Sequence, residues 1–255
     1  HTHIYLPFMG TFSKDTYETG TIAALCGGTT TLIDFVIPDR KEEPLAALET
    51  WHSKSKGLAC HDYTFHMAVT RFDSQVENQL REIVKSGVAS FKVFLAYKGA
   101  LGIDDYELYH TLRLAKELGV ITTAHCENAD IVAELQKALV AAKKLGTEYH
   151  HESRPPLVEA EGTRHICTMA ELLGAHIYIV HLSCEESLRE AVAAKLRGTK
   201  VWKETLIQYL LLDKTYAERP NFEGAKYVMS PPLRDKKNQP VLWAGLQHGI
   251  ISTLA

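Results

Sequence analysis

Eight short runs rich in β-branched and aromatic residues alternate with longer stretches of helical character, and this alternation is what most narrows the fold. The runs fall at residues 1–3, 30–36, 63–69, 89–95, 120–125, 176–181, 200–205 and 250–254, with the length and composition of buried strands. Helical patterns lie between them at 15–26, 44–56, 73–85, 105–118, 129–144, 158–173, 185–197 and 238–248. Their ends carry stop and start signals. Gly119 and Gly174 stand where a left-handed residue closes a helix, Pro44 suits a first turn, and Asp73 and Asp105 suit N-caps. Strands that each hand over to a helix build a parallel sheet, because parallel neighbours need a crossover. Eight such units predict an α/β fold of the (β/α)8 TIM-like barrel class, with residues 1–255 as one catalytic barrel segment running from the end of strand 1 to strand 8. No G-x-G-x-x-G or P-loop pattern supports an open nucleotide-binding sheet. Irregular stretches at 38–43, 146–156 and 208–232 are expected to supply loops, and loops on the C-terminal face of such a barrel carry its chemistry.

Bulk properties exclude several other classes. At 255 residues, with 45% hydrophobic and 23% charged residues, the chain can bury a sizeable core and is not disordered. A net charge of −3 gives no electrostatic case for nucleic acid or an anionic membrane. No apolar run reaches the ~18 residues that span a bilayer, and no leader-like stretch precedes His1. Five scattered cysteines, odd in number and without CxxC spacing, read as reduced thiols of a cytoplasmic protein. Both ends read as cuts within a longer protein: His1 lacks the strand that should carry it, and Leu254-Ala255 stops inside an apolar run.

Candidate chemistry sits at the strand ends. His1 and His3, at i and i+2 on an extended segment, point both imidazoles the same way and can share a divalent metal. By itself an H-x-H pair is as easily a solvated terminus. Lys92, inside Val88-Ala89-Ser90-Phe91-Lys92-Val93-Phe94-Leu95, has almost no polar company, so burial should depress its pKa and leave a nucleophilic amine. Such an amine can add carbon dioxide to give a carbamate; the plain alternative is a lysine that snorkels to the rim. His125 and His181 each end an apolar run just before polar residues, where a single histidine is usually structural. Four histidines and a lysine in register on separate strands are better explained together, as a two-metal hydrolase site.

These residues, with Ser90-Phe91-Lys92-Val93-Phe94-Leu95-Ala96-Tyr97-Lys98, Ala124-His125-Cys126-Glu127-Asn128, Val180-His181-Leu182-Ser183-Cys184 and the segment from Phe222 to Arg234 containing Ser230-Pro231-Pro232-Leu233-Arg234, resemble the amidohydrolase superfamily. The resemblance is narrower still, to the D-hydantoinase and dihydropyrimidinase family of cyclic amidohydrolases, and covers essentially the whole chain. It implies that His1 and His3 hold a more buried metal, that His125 and His181 hold a more exposed one, and that carboxylated Lys92 bridges them, the metals usually being zinc. It further implies that Tyr97 hydrogen-bonds a substrate carbonyl, that the Ser230 backbone contacts the ring amide, and that the full-length protein is a homotetramer. Read without it, Tyr97 is a core tyrosine and Ser230 a turn former. The family also places a metal-binding aspartate roughly two residues past Ala255, and a β-sandwich and C-terminal extension outside this segment, so the segment alone is expected to hydrolyse little. The activity implied is ring opening of a 5-substituted hydantoin or a dihydropyrimidine. Rivals are an allantoinase, a dihydroorotase, or a non-catalytic adaptor related to dihydropyrimidinase. Adaptors have lost metal ligands that this chain retains, and the apolar run Ile4-Tyr5-Leu6-Pro7-Phe8-Met9 suits a hydrophobic ring substituent more than a carboxylate.

Overall fold

The computed structural model describes residues 1–8 and 10–255. Seven strands form one parallel sheet whose spatial order is their sequence order: β3 (Thr31–Val36), β4 (Asp62–Ala68), β5 (Ser90–Phe94), β6 (Ile121–His125), β7 (His176–Ile179), β8 (Lys200–Thr205) and β9 (Thr253–Leu254). Before them lies a hairpin of two-residue strands, β1 (Pro7–Phe8) and β2 (Thr11–Phe12), which the residue pattern does not announce. Helices α1 (Tyr17–Cys26), α2 (Pro44–Ser55), α3 (Ser74–Lys85), α4 (Asp105–Leu118), α5 (Ala129–Ala141), α6 (Pro156–Leu173) and α7 (Glu185–Leu196) connect the strands. A short α8 (Ile207–Leu211) and then α9 (Asn238–Gln247) lie between β8 and β9. This is the βα alternation of a TIM-like barrel.

The sequence dictates much of this locally. β5 is buried at every position and reads as an unbroken run, as a strand covered on both faces should. In α3 the polar and apolar residues separate cleanly, so Val76, Leu80 and Ile83 turn inward while the charged residues stay in water. Asp73 caps α3, accepting from the Gln75 and Val76 amides. The cap of α4 is Asp104, one residue before the expected Asp105, because Glu107 three residues on can return a bond to its backbone and complete a capping box. Gly119 and Gly174 close α4 and α6 in the left-handed conformation, at φ 71° and 65°.

Two expectations change. Residues 1–3 do not form a regular strand; a single backbone bond, Thr2 N–H to Ile33 O at 3.1 Å, lays them along β3. Yet His1 Nδ1 lies 2.5 Å from Glu204 on β8, near the opposite end of the strand order, so the sheet curls until its early and late members meet. The stretches read as irregular also hold structure: 3-10 helices at Thr147–Ser153, Lys214–Glu218 and Glu223–Tyr227, besides α8. Short polar helical turns leave no apolar period to read.

The core lies between sheet and helices, with Met67, Phe91, Leu108, Leu112 and Ile166 fully enclosed. Among the described residues no helix is long and apolar enough to cross a membrane. Gly162 lets α6 approach the end of β6: a Cβ there would lie 2.7 Å from the Cys126 backbone.

Candidate metal and substrate site

Register decides which side chains face the barrel axis. Lys92 pairs with Thr123 and Phe94 with His125, so these four share one face. Lys92 is fully buried, and its Nζ has no hydrogen-bond partner among the described residues. Its surroundings are aromatic, with Nζ 4.8 Å from the Phe35 ring centroid and 4.9 Å from that of Phe94. Burial pushes its pKa down to about 7, so near neutrality much of it is a free amine.

The two terminal histidines are held by β3. Asp34 Oδ1 accepts from the Ile4 amide at 3.2 Å and the Thr2 hydroxyl at 3.3 Å, while Oδ2 accepts from the Tyr17 hydroxyl at 2.5 Å. Burial raises the Asp34 pKa to about 6 against the pull of these donors. His3 stacks on Phe35 at 4.7 Å, and its ring lies edge-on to that of His1 at 5.6 Å. Burial, then the charge of Lys92, holds His3 down at about 3, so it stays a neutral donor. His1 Nδ1 touches Glu204 Oε1 off the hydrogen-bonding angle, a contact rather than an aligned bond.

His125 and His181 converge from β6 and from the turn after β7. Their rings lie 4.7 Å apart, and His125 Nδ1 faces His181 Nε2 at 3.1 Å. Burial is the main cause that keeps both pKa values below the usual imidazole range, that of His181 well below. The other side of His125 is fixed, with Nε2 2.6 Å from Glu127 Oε2, the oxygen that Arg154 also grips at 2.5 Å. Burial pushes the Glu127 carboxyl up, but the His125 bond and the two guanidinium groups nearby outweigh it and hold it low. His181 has φ +43°, a sparsely populated conformation for a non-glycine residue, and Glu204 holds it by accepting the His181 amide at 3.1 Å.

Tyr97, with φ +61°, follows β5. Its ring lies 5.3 Å from that of His125 and 5.5 Å from the Arg154 guanidinium, and its hydroxyl bonds the Ser230 side chain. Burial raises its pKa, so it remains a proton donor. Tyr97 and Ser230, 133 positions apart in the numbering, therefore meet beside the histidines. Ser230 also neighbours His150, whose Nε2 lies 2.8 Å from the Met229 carbonyl. Of the apolar run after His3, Ile4 turns into the core and Tyr5 sits exposed against Phe12. Met9 and the Phe8 side chain lie outside the described residues.

Chemically, this is a cluster of nitrogen donors with few protons to share. His3 Nδ1, His181 Nδ1 and Lys92 Nζ are buried without hydrogen-bond partners among the described residues, and Lys92 acts electrostatically on His3, His66, His125 and His181 alike. Such unsatisfied polar atoms are rare in a native interior and mark a place where a cation fits. Among the described residues no three His, Cys, Asp or Glu side chains close on a common point; the His1 ring lies 5.6 Å from that of His3 and 5.7 Å from that of His181, which in turn lies 4.7 Å from that of His125. Asp34, His66, Glu127, Arg154 and Glu204 join the site with no expectation from the sequence. Two of these carried a signal: Glu204 sits near a strand end as His125 does, and Glu127 follows His125 at i+2.

Residues 1–250 match the family model described as Amidohydrolase family. D-hydantoinase of Geobacillus stearothermophilus is 46% identical over 255 residues, covering 100% of this chain and 54% of that protein. Dihydropyrimidinase of Rattus norvegicus is 38% identical, covering 94% of this chain and 47% of that one. The structure of a D-hydantoinase (dihydropyrimidinase) from Thermus sp. superposes with a TM-score of 0.98 at 57% identity, covering all of this chain and 56% of the other. The chain thus spans about half the length of the relatives it matches.

Proposed function

Because the chain belongs to the amidohydrolase family, we propose that it is the barrel segment of a metal-dependent enzyme that hydrolyses the ring amide of 5-substituted hydantoins or dihydropyrimidines. The observation that carries the reading is the facing pair His125 Nδ1 and His181 Nε2 at 3.1 Å, beside a buried lysine that has no hydrogen-bond partner among the described residues. His1 and His3 would hold one divalent metal, His125 and His181 a second, and Lys92, once carboxylated, would offer an oxygen to each. Zinc suits this imidazole-rich set. The free amine that burial favours is the form that adds carbon dioxide, losing a proton as the carbamate forms. When bound, the metals supply Lewis acidity toward water and a carbonyl oxygen.

The chain's own groups do the rest. The Tyr97 hydroxyl, kept protonated by burial, donates to the carbonyl oxygen as negative charge builds on it. Its bond to the Ser230 side chain would set its direction, and the Ser230 backbone would contact the ring amide. The water oxygen bonds the carbonyl carbon as the ring C–N bond breaks, giving one ring-opened N-carbamoyl amino acid with a carboxylate at that carbon and a carbamoyl NH2 at the former ring nitrogen, which takes up the proton. Arg154, the guanidinium over Tyr97, is already paired with Glu127, which counts against a substrate that needs a free cation for a carboxylate, such as dihydroorotate. A cytoplasmic location, supported by five unpaired cysteines, and a homotetrameric full-length protein belong to the same reading.

The test is turnover of a 5-substituted hydantoin and of dihydrouracil by the zinc-loaded full-length protein and its Tyr97→Phe variant. We expect the variant to lose about 10²–10³ in kcat with unchanged metal content. A best rate on dihydroorotate, or no turnover of any cyclic ureide, would overturn the assignment.

A further inference from the structure

Glu127 and Arg154 bring together two segments that share no secondary structure. Glu127 lies two residues past the end of β6, Arg154 follows the 3-10 helix Thr147–Ser153, and His125 ends β6. All three side chains are buried, with Glu127 0% exposed. One carboxylate oxygen, Glu127 Oε2, receives both His125 Nε2 at 2.6 Å and Arg154 Nη1 at 2.5 Å. A carboxylate can only accept, so the proton of this bond belongs to His125 Nε2. In a neutral imidazole the opposite nitrogen is then bare, and it is Nδ1 that faces His181 Nε2.

We infer that Glu127 and Arg154 are positioning residues that fix the His125 tautomer, so that its Nδ1 lone pair is presented toward His181. The inference rests on the reading of His125 as a metal donor and adds what makes it one. Arg154 has two tasks. It holds Glu127 in place, and it lies over the Tyr97 ring, so one guanidinium orients a donor histidine and the substrate-facing tyrosine together.

Arg154 is itself anchored through its carbonyl, which accepts from Arg234 Nη1. Arg234 also donates to Ser183 Oγ at 2.8 Å and pairs with Glu159 at 2.8 Å, and Glu159 accepts the Ser183 amide at 2.9 Å. The Ser230–Arg234 motif is thereby tied to the turn carrying His181. Packing permits the arrangement because Gly162 leaves room for Glu127, whose amide would lie 3.0 Å from a Cβ there.

The experiment combines Zn2+ affinity, from competition with a chromophoric chelator, with 15N NMR of the histidine rings in the metal-free full-length protein. The wild type should show His125 protonated at Nε2. Glu127→Gln should lower Zn2+ affinity by about 10- to 100-fold, the usual cost of losing such an outer partner, and should shift His125 toward Nδ1 protonation, since an amide can donate as well as accept. Arg154→Gln, which keeps the carboxylate but unbraces it, should give a smaller loss in the same direction and serves if Glu127→Gln does not fold. A folded Glu127→Gln protein with unchanged affinity and an unchanged His125 spectrum overturns the inference. A wild type that binds no Zn2+ overturns the metal-site reading instead, while the His125 tautomer still tests the role of Glu127.

Discussion

Two groups of arginines and glutamates in this protein have nearly the same geometry and very different surroundings. On the outer face, Arg81 of α3 lies 2.6 Å from both Glu77 and Glu117, with Arg113 also reaching Glu77. Inside, Arg154 meets Glu127 at 2.5 Å and Arg234 meets Glu159 at 2.8 Å. The outer charges keep water around them, so each pair exchanges hydration for Coulomb attraction at little net gain. The inner charges have lost their water, and each depends on its partner to remain tolerable. Similar distances therefore say little about energy until burial is known. Distance does show what the inner pairs do: one joins the residues after β6 to the end of the 3-10 helix Thr147–Ser153, and the other joins Arg234 to α6.

The sharpest way to break this contrast is to remove one inner partner. Arg234→Met strands the buried Glu159 and should destabilise the fold by about 3–5 kcal/mol, read from urea unfolding. A loss below 1 kcal/mol would mean that the inner pairs behave like surface ones. Next in size is Lys92, whose buried Nζ has no hydrogen-bond partner among the described residues. Its folded pKa of about 7 lies below the ordinary 10.5, so between those values the unfolded chain binds more protons. The metal-free wild type should thus gain stability relative to Lys92→Met as pH rises through that window, and the handicap should be complete below pH 7. Parallel stability curves for the two proteins would rule this out.

Gly162→Ala tests the packing beneath the network. Its Cβ would press on the Cys126 backbone and on the Glu127 amide, costing roughly 1–3 kcal/mol and weakening Zn2+ binding through Glu127. Unchanged unfolding and affinity would show that α6 can yield. The smallest effect is expected for Arg81→Ala, which should leave the urea midpoint at wild type in physiological salt. A clear drop there would make the outer network more than solvated charge.

Legibility follows the same division between local and long-range causes. Strands β3 to β8 and helices α1 to α7 were readable to within a few residues, because apolar spacing and end signals act over one or two turns. The H-x-H pair, Lys92, His125 and His181 were readable as candidates, since each sits on an apolar run where a polar side chain needs a reason. The tail at 1–3 was not readable as anything but a strand, because its conformation depends on Asp34, some 30 positions away in the chain. Nor was Arg154 legible: it follows a short polar 3-10 helix, and only the path of the connection after β6 brings it over Tyr97.

The sequence by itself determined the parallel βα order, the placing of candidate donors at strand ends and the family, because these depend on periodicity and on residue type. Tertiary structure alone decided which nitrogen of His125 faces His181, which oxygen of Glu127 holds it there, and that Tyr97 and Ser230 meet. Those are matters of direction and burial, and they are fixed only when strands far apart in the chain close around one desolvated interior.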